Sequence, residues 1–128
     1  GQLLSNRGQS AAAAEQFRAV LAVRADHAQA LAGLAWIEAT SADPALRNPQ
    51  DAVQRAERAV ELTTRRDVVA LDALAAAYAA AGRFDDAEQT ATLGLQTATR
   101  AGQTAVAAQF RQRLALYQKG ESLRLPRP

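Results

Sequence analysis

Cysteine and methionine are absent from this 128-residue chain, and lysine occurs once, at Lys119. Without thiols there is neither a disulfide framework nor a zinc–thiolate site. One histidine and no cysteine leave no nucleophile–base pair to assemble. A glycine-rich phosphate loop is missing, and the GQSAA stretch around Ser10 lacks the strand that a nucleophile elbow requires. No catalytic residue, cofactor or metal site is therefore expected. No uninterrupted apolar run approaches the roughly 18 residues of a membrane span, so insertion into a bilayer is not expected either. The net charge is only +2 and the basic residues are scattered, whereas nucleic-acid binders carry a denser basic stripe. Aromatic residues make up 5% of the chain, which excludes a core built on bulky rings.

What the chain has in quantity is alanine, about a quarter of all residues, a composition suited to helices with thin, closely spaced interfaces. The stretch from Asp67 to Thr99 organises the rest. Leu71, Leu74, Ala75 and Tyr78 recur at three- and four-residue steps and so share one helix face. Gly82 is placed to end that helix in a left-handed turn. Asp85 and Asp86 then put negative charge in the first turn of the next helix, where the macrodipole favours it. Ala87, Ala91, Gly94 and Leu95 form its inner face.

The same design recurs upstream. Gly8 precedes Ala13 by the spacing that separates Gly82 from Ala87, so a break at Gly8 is expected, with Ser10 as the N-cap of a helix whose stripe is Ala13, Phe17, Val20 and Leu21. Asp26 is expected to cap a helix through HAQALAGLAWIEAT, in which Leu31, Leu34 and Ala35 match Leu71, Leu74 and Ala75. Glu38 stands where Tyr78 would fall, which points to a face not buried in the usual way. The connection that follows is five residues longer than its counterpart and contains Pro44. Asn48 then reads as N-cap and Pro49 as first helical residue, with Asp51 helping the dipole. The stripe Ala52, Ala56, Ala59 and Val60 follows, with Arg55, Arg58, Glu57 and Glu61 on the wetter side. After Thr99, the stretch Arg100-Ala101-Gly102 breaks the chain. A final helix to about Lys119 carries the stripe Val106, Phe110, Leu114 and Tyr117, leaving Arg111, Gln112 and Arg113 outside. Seven helical segments are expected, making an all-α chain.

These residues resemble the tetratricopeptide repeat family, whose unit is a helix pair of about 34 residues. Leu74, Ala75, Tyr78, Gly82 and Ala87 fall on its signature positions, and Leu34, Ala35, Ala52 and Ala59 repeat part of them. The resemblance implies a superhelical solenoid of antiparallel helix pairs in a single domain over 1–120. It divides into a partial repeat at 1–26, a repeat at 27–66 with an insertion near 41–47, a repeat at 67–101, and a capping helix at 103–119. Residues 121–128 form an irregular tail. The start at Gly1, in mid-pattern and without methionine, reads as a fragment of a longer protein. LAWIEATSADPALRNPQDAVQRAERAVELT followed by LDALAAAYAAAGRFDDA is similar to the C-terminal repeats of bacterial tetratricopeptide proteins, some of them membrane glycosyltransferases. Arginine in place of lysine fits a GC-rich bacterial source.

The resemblance implies a concave groove lined in the second unit by Gln29, Ala32, Trp36, Ala39 and Thr40. In the third unit the lining is Val69, Asp72, Ala76, Ala79 and Ala80. This apolar, nearly uncharged groove suits an apolar peptide or helix of a protein partner, which makes the chain an interaction scaffold. Two other roles stand beside it: a structural cap ending a longer array, and an accessory domain presenting substrates to a membrane glycosyltransferase. Trp36 is either a binding anchor or a core residue under the insertion. His27, at a helix start, is expected to cap or to lie on the surface, since a metal site needs several ligands. Leu3 and Leu4, if exposed, would make a sticky edge through which the chain self-associates.

Overall fold

In a computed structural model the chain is described over residues 2–41, 46–63 and 67–121, with side chains from Ala11 onward. The described residues form six helices and no strand: α1 (Gln2–Val23), α2 (Ala28–Thr40), α3 (Pro49–Leu62), α4 (Val68–Ala80), α5 (Phe84–Arg100) and α6 (Thr104–Gln118). The expected break at Gly8 does not occur, and α1 runs through both Gly8 and Ser10. Glycine permits a left-handed turn without imposing one. In a helix interior it costs only about 1 kcal/mol relative to alanine, and the alanines that follow are the strongest helix formers. The tail at 122–128 and residues 42–45 of the insertion lie outside the described residues.

Where the helices do end, local chemistry stops them. After α4, the Gly82 N–H donates to the Ala79 carbonyl at 3.0 Å and the Arg83 N–H to the Tyr78 carbonyl at 2.8 Å. This paired closure requires a left-handed residue at its centre, and Gly82 supplies φ 80°. The same pattern recurs at Gly102, where Gln103 donates to Ala98, and at Gly120, where Glu121 donates to Leu116. A Cβ at Gly82 would meet nothing within 4 Å, so Gly82→Ala isolates the backbone cost. It is expected to destabilise the chain by about 1–2 kcal/mol in urea denaturation; a change below about 0.3 kcal/mol would show that the turn relaxes freely.

At the N-termini, the Asn48 side chain accepts from Asp51 N–H at 3.3 Å with Pro49 at the first helical position, and Asp67 accepts from Val69 N–H at 2.9 Å. The cap of α2 is one residue later than expected. His27 Nδ1 accepts from Ala30 N–H at 3.1 Å, while Asp26 instead takes a hydrogen bond from Arg58 of α3 at 3.0 Å.

Each helix packs on the next, and α2 also packs on α4. The three-residue turn at Ala81–Arg83 folds α5 back along α4. Helix α4 lies at the centre, touched by α2, α3, α5 and α6. Eight of its thirteen residues are buried, all round its circumference instead of on one face. Alanine makes this packing feasible: Ala52, Ala56, Ala59, Ala75, Ala77, Ala87 and Ala91 are all fully buried, and small side chains let the helix backbones approach closely. A satellite cluster of Ala14, Leu34, Ile37 and Leu46 joins α1 to α2. The stripe expected on α1 is therefore rotated, with Ala14 buried and Val20 exposed.

Candidate functional site

An open cleft of about 390 Å³ lies where α1, α2 and α4 meet, a size typical of small ligand sites. Helix α1 contributes Phe17, α2 contributes Ala32, Gly33, Trp36 and Ile37, and α4 contributes Val69, Asp72 and Ala73. The spacings follow helix geometry: Gly33, Trp36 and Ile37 share one face, as do Val69, Asp72 and Ala73. Gly33 lets the Phe17 ring lie directly on the α2 backbone, since a Cβ there would come within 2.4 Å of Phe17 Cζ. Trp36 is half-buried, and Val69 at the rim is 61% exposed. Isoleucine, valine and the two rings give the cleft its apolar character.

Asp72 is the one charged side chain among the described residues lining this cleft. Arg113 of α6 approaches it with a two-pronged hydrogen bond, Nε to Oδ1 at 3.1 Å and Nη2 to Oδ2 at 3.2 Å. The same guanidinium lies 5.4 Å from the centre of the Trp36 ring, within cation–π range. Arg113 therefore does not stay outside α6 as its position beside the stripe predicts; its side chain is 17% exposed. Tyr117, one turn further along α6, is buried, and its hydroxyl has no hydrogen-bond partner among the described residues. Burial pushes the phenol above its ordinary range, with the Asp72 carboxylate adding to the rise and Arg113 opposing it.

Four of the residues expected to line a groove, Ala32, Trp36, Val69 and Asp72, come together here. Ala39, Thr40, Ala76 and Ala79 lie outside the lining and are buried to 2% exposure or less, as Ala32 also is, and the Thr40 hydroxyl is turned inward to the Trp36 carbonyl at 2.7 Å. Gln29 is exposed and Ala80 half-buried, both away from the cleft lining. Phe17, Gly33, Ile37, Ala73 and Arg113 were not among the expected residues. Gly33 carried a signal, since a glycine inside a helical pattern often marks a close approach. The side chains of Leu3 and Leu4 lie outside the described residues.

A second, larger cleft of about 690 Å³ opens between α3, α4 and α5, with Glu57, Glu61 and Asp86 around Tyr78. Its charges are already answered from within. The Tyr78 hydroxyl donates to Glu57 at 2.9 Å, Arg58 lies 3.5 Å from Glu61, and Arg83 meets Asp86 at 2.9 Å while stacking 4.5 Å over the Tyr78 ring. Burial, then the bond to Glu57, holds the Tyr78 phenol up to about 12, so it stays protonated through neutral pH.

Glu38, on the face expected not to be buried in the usual way, is buried with an ionic partner: Arg55 of α3 donates Nη1 to both its carboxylate oxygens at 2.7 and 2.8 Å. Arg55 is thus drawn off the wetter side of α3. Among the described residues no group of three or more histidines, cysteines or carboxylates is placed to hold a metal ion, and no helix is long and apolar enough to cross a membrane. No family model matches this chain, and neither a curated protein nor a solved structure matches it.

Proposed function

We propose that the chain is a non-catalytic protein-interaction module, a tetratricopeptide-like solenoid that docks an apolar segment of a partner protein in the cleft between α1, α2 and α4. One observation carries this reading: Phe17, Trp36 and Val69 converge on an open, almost uncharged cleft, where apolar side chains of a partner would replace water. The repeated helix pairs α2–α3 and α4–α5, the packing of α2 on α4, and the glycine-capped turns support the solenoid. On that reading the first unit is represented by α1, the insertion follows α2, and α6 closes the stack.

The test uses a displayed peptide library panned on the protein, with binding followed by the polarisation of a fluorescent label on the enriched peptides, a readout that survives loss of Trp36, the chain's single tryptophan. Enriched peptides are expected to carry apolar anchors. Trp36→Ala and Val69→Glu are each expected to weaken them by about 2 kcal/mol, some thirtyfold, with helicity unchanged by circular dichroism. Absence of enrichment, or peptides indifferent to both substitutions, would overturn the proposal.

A further inference from the structure

We propose that the cleft recognises a partner segment in which an arginine accompanies the apolar anchors, and that Arg113 occupies the place of that arginine in the unliganded chain. This inference rests on the docking role of the cleft and adds the chemistry of its guest. Asp72 and Trp36 both line the cleft, and together they present what a guanidinium binds: a carboxylate for a two-pronged hydrogen bond and an aromatic face for stacking.

The chain's own guanidinium makes both contacts, meeting Asp72 at 3.1 and 3.2 Å and Trp36 at 5.4 Å. Arg113 comes from α6, which rests mainly on α5 and touches α4 only lightly. Its release breaks the two hydrogen bonds to Asp72 and the contact with the Trp36 ring. A carboxylate at the edge of an apolar cleft would oppose a purely apolar guest once its partner was displaced, because an unpaired charge is costly to cover. A guest bringing its own guanidinium removes that cost. Charge complementarity thus selects an arginine-bearing segment over a wholly apolar one, and the resident Arg113 lowers the apparent affinity by competing for the same carboxylate.

Acetyl-leucyl-arginyl-leucine amide, and the same tripeptide with neutral, isosteric citrulline in place of arginine, are titrated while Trp36 emission is followed. With Arg113→Gln the arginine probe is expected to bind about tenfold more tightly than to the unaltered chain. It should also be preferred over the citrulline probe, and adding Asp72→Asn should abolish the preference. Arg113→Lys, which keeps the charge but loses the planar fork, serves as the second variant should Arg113→Gln melt early by circular dichroism, and is expected to show a smaller gain of the same sign.

Equal binding of the two probes to Arg113→Gln would overturn the inference while leaving apolar docking in place. Binding of neither probe would overturn it as well, and the panned peptides then decide whether docking itself survives. A dimer seen by light scattering and dissolved by Val69→Glu would overturn it in favour of a second copy of the chain.

Discussion

Replacing Arg55 with methionine is expected to destabilise the chain by about 3 kcal/mol at pH 7, because it strands a buried carboxylate. Glu38 is only 3% exposed, and Arg55 supplies both of its short hydrogen bonds. Breaking a buried pair from one side costs roughly 3–5 kcal/mol; the low end applies because the Arg55 side chain retains 30% exposure and water can follow it. The pH dependence has a definite sign. Burial raises the Glu38 carboxyl above its ordinary 4.5, with Arg55 opposing that rise. A raised folded value means that the native state holds its proton more tightly than the unfolded chain does. The resulting stability is fully present below about pH 4.5 and is lost as pH climbs through the folded value.

Without Arg55 the folded value climbs further, so the penalty of Arg55→Met relative to the unaltered chain should shrink as pH falls from 7 to 5. Adding Glu38→Leu should return stability to the original level or above it, as apolar replacement of both partners commonly does. Urea denaturation at the two pH values measures all of this. A penalty under 1 kcal/mol, or one equal at both pH values, would show that Glu38 is better solvated than its burial indicates.

The contact between Phe110 and Gly94 yields the second large effect, with a change of sign. Phe110 is 1% exposed, and Phe110→Ala is expected to cost about 3–5 kcal/mol through lost burial and the cavity left behind. A Cβ at Gly94 would come within 2.4 Å of Phe110 Cε1 and Cζ. Overpacking costs roughly 1–3 kcal/mol, more than the gain of up to about 1 kcal/mol from alanine in a helix, so Gly94→Ala alone should destabilise. Once Phe110 is alanine the clash is gone, and Gly94→Ala should stabilise by about 0.5–1 kcal/mol. A double-mutant cycle measures the coupling. Additive effects would mean that the ring moves aside without strain. Gly33 faces Phe17 at the same 2.4 Å, but that ring is half-buried at an open cleft, where it has room to swing, so Gly33→Ala should cost less.

Trp36 and Ala32 on α2, and Val69 and Asp72 on α4, half of the residues lining the cleft, were named through the family resemblance, which assigns positions within single helices. Phe17 could be assigned only to a stripe, because nothing local says which neighbour the stripe meets. Arg113 gave no local signal at all. An arginine beside an apolar stripe normally stays in water with its stem along the surface, and only the arrival of Asp72 and Trp36 from distant helices draws it in.

The sequence by itself determined the all-α class, the cap at Asn48, the stops at Gly82, Gly102 and Gly120, and the alanine-lined faces of α3 and α5. These are matters of backbone preference and of hydrogen bonds between residues a few positions apart. Only the tertiary structure decided that Gly8 stays inside a helix, that α4 is covered all round, that Glu38 goes inward with Arg55, and that Arg113 reaches the cleft. Each of those outcomes depends on which groups other helices bring within a few ångströms, and the helical period encodes a face without its partner.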